Sequence, residues 1–373
     1  MNDSDEFLKL IPDGLAKTGF LLEHEVTQAF RKYGWSVINN RFYIDDVDGK
    51  ARELDMVVYR VSPGKEIDVV TTLLISCKKN EQMAFAFMSR ERLKAEPNFD
   101  WQPVHYWTAQ EPLCTYLGAA EWKDDYITSD EELQSQIFDI QRDAFATQLL
   151  SLSNASPQND RLIFESVSGL MKALDHEILV LPSRMKGKRI YIFNLITIVD
   201  AVMVDAQFSG KKIRPIEIED FKYFSRYMVR KRELAARIHF VTKSQLEELI
   251  TTYSQLAIHD RDFFDSLVDK SYSAITNNES IQAYFAKRLS PRLIWRINSA
   301  LKKAKFATFE GDIELGYSNQ KREEELIIGI PTFDENAINH LNANDALKKS
   351  VAKILRENAR YGGSFRFDMS VPF

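Results

Sequence analysis

The sequence predicts an α/β protein: a mixed sheet flanked by helices at the N-terminal end, followed by further α/β and α+β regions. Three observations carry that expectation. A helix-period segment near the N-terminus is followed by three strand-like segments, then by a helix and a strand. The third strand-like segment, Val69 to Cys77, is apolar almost throughout, as a strand covered on both faces must be. The chain has 373 residues and is 45% hydrophobic and 12% aromatic, enough for a large core and too apolar for disorder.

In order, residues 18–34 read as a helix, because Leu22, Val26, Ala29, Phe30 and Tyr33 recur at the three-to-four spacing of one buried face. Gly34 is placed to end it, since glycine accepts the left-handed conformation that follows many helices. WSVINNRFYI is aromatic and β-branched and reads as a strand, followed by a turn over Asp45 to Lys50. Glu53 to Val61 and Val69 to Cys77 are the second and third strands, with a turn at 63–65 between them. Residues 80–95 read as a helix and Gln102 to Thr108 as a fourth strand, closing a unit over residues 1–120.

Residues 121–160 read as a polar helical connector and linker, ending in SLSNASPQND. A second α/β domain is expected over 161–255: a helix near 161–175, strands at 178–182, 189–199 and 213–219, a helix at 220–235, the strand RIHFVT and a helix from Lys243. Its order loosely echoes the first unit and leaves a degenerate repeat open. Residues 256–373 read as a mixed α+β region. There Ser290-Pro291 is expected to open a basic helix, 311–330 a hairpin, 334–360 mostly helix, and the end a strand.

Bulk properties exclude several classes. Net charge is −5, so nucleic-acid binding would need local basic patches. Two cysteines, Cys77 and Cys114, cannot build a disulfide framework or a cysteine-rich zinc site. The acidic start MNDSDEFLKLIPDG lacks the order of a signal peptide, and the apolar run Ile190 to Val204 is too short and polar to span a bilayer. These features predict a cytoplasmic protein without a membrane partner. The six histidines show no paired metal spacing, and no phosphate-binding glycine loop or nucleophile elbow occurs.

What remains is "ELDMVVYRVSPGKEIDVVTTLLISCKKN" at 53–80. Alternation puts Glu53 and Asp55 on one face of the second strand, and Ser76 and Lys78 on one face of the third. If the strands pair, Asp55 and Lys78 converge. Glu23 shares its helix face with Val26 and Phe30 and points partly inward, which is costly for a carboxylate without a partner. Carboxylates can hold a divalent metal and a lysine can offset charge developing on a phosphate. The bland alternatives are a strand-edge charge, a solvated strand end or a structural ion pair.

Over residues 15–118 the sequence resembles the restriction-endonuclease-like, or PD-(D/E)xK, nuclease superfamily. The resemblance implies a helix–strand–strand–strand–helix–strand order, Mg²⁺ or Mn²⁺ as cofactor, and hydrolysis of DNA phosphodiesters. It makes Asp55 the principal metal ligand, Lys78 the catalytic lysine and Glu23 an outer ligand, with Glu25 its rival. It departs at Ser76, where an acid is usual. One subgroup of restriction enzymes also has serine there and takes the acid from the following helix. Glu91, with twelve residues between it and Lys78, is the candidate for that relocated ligand.

Two basic clusters offer contacts to phosphates: one contains Arg230 and Lys231, the other sets Arg292, Arg296 and Lys303 along one helix face beside Trp295. Ordinary solvated faces look the same. The expected function is a metal-dependent endonuclease, a prokaryotic restriction or anti-phage effector, working as a homo-oligomer or with a defence-system partner. The alternatives are a decayed nuclease fold serving as a nucleic-acid or protein scaffold, and an interaction protein with an accidental likeness.

Overall fold

The computed structural model describes residues 3–47, 49–94, 102–184, 187–318, 324–332 and 334–370. They form two compact units, one of Met1–Thr108 with Lys123–Asp262, the other of Ala109–Trp122 with Phe263–Phe373. The protein is mixed α/β, with a mixed sheet flanked by helices.

In chain order the first unit runs α1 (Asp3–Ala16), α2 (Gly19–Lys32), β1 (Ser36–Ile44), β2 (Ala51–Pro63), β3 (Asp68–Lys79), β4 (Met83–Glu91) and β5 (His105–Thr108). The helix α3 (Leu113–Ala119) belongs to the second unit. The first unit resumes with α4 (Lys123–Thr128), α5 (Glu131–Leu133), β6 (Arg142–Ser151), β7 (Pro157–Gln158), α6 (Arg161–Arg184), β8 (Arg189–Asp200), β9 (Met203–Ser209) and β10 (Lys212–Ile218). It ends with the hairpin β11 (Asp220–Val229) and β12 (Arg232–Thr242) and the first part of α7 (Leu246–Ser273).

One sheet has the order β1-β2-β3-β8-β12-β11, with β5 also on β8. It is mixed: β1, β2 and β3 are antiparallel neighbours, whereas β3 pairs with β8 and β8 with β12 in parallel. β3 lies between β2 and β8, and every residue from Val69 to Cys77 is buried. The second sheet has the order β10-β9-β4-β6-β7. Phe85 and Phe87 from β4 share a core with Phe193, Leu195 and Phe240 of the first sheet and with Leu170 and Leu174 of α6. Phe87 stacks on Phe221 with centroids 4.4 Å apart. On α2, Leu22, Val26 and Phe30 are buried, a face that contributes about 1.5–3 kcal/mol per fully buried side chain. Gly34 follows the cap at a φ of 79°, where a side chain would be strained.

Several elements differ from expectation. Residues 83–91 are not helical but form β4, where Ala84, Phe85, Ala86 and Phe87 are consecutively buried between β6 and β9. The connector expected to be helical ends in β6, and β7 of the expected linker pairs back on it. α6 runs through 178–182, expected as a strand. Residues 220–235, expected as helix, are most of the β11–β12 hairpin, and β9 was not foreseen. The regions 1–120 and 161–255, read as separate domains, contribute β1–β3 and β8, β11 and β12 to one sheet. The second region thus extends the first sheet and does not repeat it.

The second unit adds α8 (Glu279–Lys303), β13 (Glu314–Ser318), β14 (Glu325–Ile330), α9 (Glu335–Ala343), α10 (Asp345–Ala359) and β15 (Ser364–Met369). Its sheet is β13-β14-β15, with the first pair antiparallel and the second parallel. Ser290-Pro291 does not open a helix: α8 begins at Glu279, where the Asn278 side chain accepts the Ile281 N–H. Ser290 is inside it, buried, accepting the Ile313 N–H. Among the described residues no helix is long and apolar enough to cross a membrane.

Candidate active site

β2 and β3 stop pairing at Met56↔Ile75. Beyond that point the Asp55 carboxylate accepts the Cys77 backbone N–H at 2.5 Å, taking up a donor the ladder leaves over. This contact fixes Asp55 beside the end of β3, which carries Ser76 and Lys78. Asp55, Ser76 and Lys78 line one cleft of about 400 Å³.

Glu23, on α2, does not line the cleft but lies close enough to feel the charges of Asp55 and Lys78. Its carboxyl is pushed up to about 6, first by burial, then by the negative charges of Asp55 and Glu53, with Lys78 pulling the other way. Glu53 accepts a hydrogen bond from the Asn40 side chain. Glu23 therefore feels the charges of both Asp55 and Lys78. Glu25, the rival, is ion-paired with Lys243 at 2.5 Å. Of the two lysines ending β3, Lys79 is bound to Glu81 at 2.9 Å and donates to the Ala16 carbonyl at 2.7 Å. Lys78 is the one that lines the cleft.

The opposite wall is α6. Ser76 pairs with Thr197 across the parallel β3–β8 ladder, and the Thr197 hydroxyl meets that of Ser166 at 2.7 Å. This seats the first turns of α6 beside Ser76, and Ser166 and Ser76 line the same cleft. Glu165, next to Ser166, lines the cleft and is ion-paired with Arg161 at 2.7 Å. Farther along α6, Lys172 binds Asp45 at 2.9 Å and Asp46 at 3.5 Å, and Glu177 binds Arg41 at 2.8 Å. These bonds hold α6 along β1 and the turn after it.

Glu91 is elsewhere. It is exposed at the end of β4 in the second sheet, opposite Arg142, and does not line the cleft. The helix expected to carry it is a strand. The helix that enters β8, beside β3 in the first sheet, is α6, and its Glu165 lines the cleft where Glu91 does not. Residues 161–175 do read as helical, but local reading assigns them to another domain. The alternating apolar-aromatic run at 83–88 was the available signal that no helix stands closer.

The basic residues separate. Arg230 and Lys231 form the β11–β12 turn, both in the left-handed region with φ of 49° and 63°. Arg230 is engaged with Asp175 at 2.7 Å, and its backbone N–H donates to Asp46. Arg292, Arg296 and Lys303 are exposed on α8 of the second unit. Arg292 donates to Asn358, and Arg296 lies 5.3 Å from the ring of Trp295, itself 66% exposed.

Among the described residues no three His, Cys, Asp or Glu side chains are gathered as a ready-made metal cage. Magnesium does not need one, since it is commonly held by one or two carboxylates, several waters and substrate phosphate. The fit rests on Glu23 and Asp55, two carboxylates close enough that Asp55 adds to the effect of burial in raising Glu23. No protein-family model, curated protein or solved structure matches the chain.

Proposed function

We propose that the first unit is a divalent-metal-dependent endonuclease of the PD-(D/E)xK type, hydrolysing DNA phosphodiesters. The observation that carries this reading is that Asp55 and Lys78 line one cleft at the end of β3, with Glu23 on α2 close enough to feel both charges. The order α2–β1–β2–β3 within a mixed sheet supports it; the helix expected at 80–95 is the strand β4, and the helix–strand pair that completes the order is α6–β8, after an insertion carrying β4 to β7. Asp55 and Glu23 would hold the metal, Mg²⁺ or Mn²⁺, and Glu165 would supply from α6 the carboxylate that Ser76 lacks. The bound ion would lower the pKa of the attacking water and offset phosphate charge. Lys78 adds a fixed positive charge where charge builds on the phosphate. Its setting would be the reducing cytoplasm, in keeping with two free thiols, in a restriction or anti-phage role with a second copy or a defence partner. The exposed basic face of α8 and Lys231 would contact phosphate backbone.

A second reading has one observation in its favour. Ser76 is a weak ligand, and among the described residues no three His, Cys, Asp or Glu side chains are grouped so as to hold a metal, as in a decayed nuclease fold kept as a scaffold. Cleavage of plasmid and linear DNA with Mg²⁺ or Mn²⁺ separates the two. Asp55→Asn and Lys78→Ala should each lower the rate by about 10²–10³-fold, the usual loss of one electrostatic contributor. Wild-type rates in Asp55→Asn would sink the nuclease reading, and a wild type that neither cuts nor gains stability from metal would favour the scaffold.

A further inference from the structure

The cleft has one wall that phosphodiester hydrolysis does not explain. Phe164, immediately before Glu165, lines the cleft and is 52% exposed. It is off the buried stripe of α6, which is formed by Ile163, Val167, Leu170 and Leu174. Tyr227, from β11, lines the cleft beside it, with the two rings edge to face and centroids 6.2 Å apart. The ammonium of Lys172 lies 6.0 Å from the Tyr227 ring and is held in place by Asp45. A scattered exposed phenylalanine is ordinary. The face of an exposed phenyl, backed by the edge-to-face Tyr227 ring and in the same small cleft as Asp55, Lys78 and Glu165, is an apolar aromatic surface beside those charged groups.

We propose that this wall is a stacking platform for an unpaired nucleobase, so that the cleft takes single-stranded nucleic acid in preference to duplex. The inference rests on the nuclease reading above. In a duplex both faces of a base are covered by its neighbours, so an aromatic wall gains nothing from it. An unpaired strand offers free base faces, and stacking on an aromatic side chain is insensitive to which base it is. The phosphate next to the stacked base would then lie against the polar floor formed by Asp55 and Lys78. DNA and RNA strands share this chemistry and differ only at the sugar.

The test uses the full chain with Mn²⁺ and four end-labelled substrates of one length: single-stranded DNA, single-stranded RNA, duplex DNA, and a single DNA strand with abasic sites across its centre. Wild type should cut the intact DNA or RNA strand faster than the duplex, and the intact DNA strand faster than the abasic one by about fivefold to a hundredfold, the effect of one base–aromatic stack. In Phe164→Ala the intact-to-abasic ratio should fall to near one, whereas Phe164→Trp should keep it. Using the ratio cancels any general loss of folded enzyme. An unchanged ratio in Phe164→Ala, or faster cutting of duplex by wild type, would overturn the stacking inference and leave the nuclease reading intact. Failure of the folded wild type to cut any of the four would overturn both.

Discussion

Glu23→Gln tests the charge cluster without reference to cleavage. Glu23 is held at about 6 against an ordinary value of 4.5, chiefly by burial and then by Asp55 and Glu53. A shift of that size is worth about 2 kcal/mol by proton linkage, and because the side chain is substantially solvated we discount it to about 1 kcal/mol. The folded state binds this proton more tightly than the unfolded chain. The stability it contributes is therefore complete below pH 4.5 and lost as pH rises through about 6. Replacing the carboxylate by an isosteric amide removes that loss. Urea unfolding should find Glu23→Gln about 1 kcal/mol more stable than wild type near pH 8, and close to equal near pH 4. Metal should reverse the order. A Mg²⁺ concentration about a hundredfold above the dissociation constant stabilises a binding-competent fold by about 2.7 kcal/mol, and the variant should receive less of it. The wild-type gain should itself shrink toward pH 5, where Glu23 is protonated. A variant destabilised at pH 8 without metal would refute the account, because Glu23 would then be stabilised by its neighbours and not repelled by them.

Other outcomes follow from the same structure. Glu165→Gln should lower metal-dependent cleavage by about 10²-fold or more while Glu91→Gln leaves it unchanged; the reverse pattern would return the relocated acid to β4. Asp260 is fully buried and is pushed up to about 7 by that burial, although the Thr71 and Tyr126 hydroxyls donate to it at 2.5 and 2.6 Å. Its stabilising contribution is lost as pH rises from 3.8 to about 7. The stability of Asp260→Asn relative to wild type should accordingly rise by about 1.4 kcal/mol per pH unit within that window, and a flat difference in urea unfolding would sink the assignment.

The sequence made local elements legible and long-range ones not. α2 and β1 to β3 could be read because their periodicity and turn residues are contiguous, and with them came Glu23, Asp55 and Lys78. The β11–β12 hairpin was hidden because its turn uses Arg230 and Lys231 in left-handed conformations, without the glycine or asparagine that marks such turns. β4 was hidden because a short apolar run is compatible with helix or strand until its neighbours are known. Glu165 was out of reach for a different reason. Its proximity to Ser76 depends on the parallel pairing of β3 with β8, which no local pattern encodes.

The insertion between β3 and α6 has a further consequence, for when the cleft comes into being. Its two walls are joined by bonds such as Lys172 to Asp45, whose residues lie 127 positions apart. Contacts of that range are formed after local hairpins, because the loop must close before they are rewarded. As the chain leaves the ribosome, the meander carrying Asp55 and Lys78 is made well before α6 and β8. A nascent chain thus has Asp55 and Lys78 but no opposing wall, so the cleft is complete only once α6 and β8 have been synthesised and closed on it.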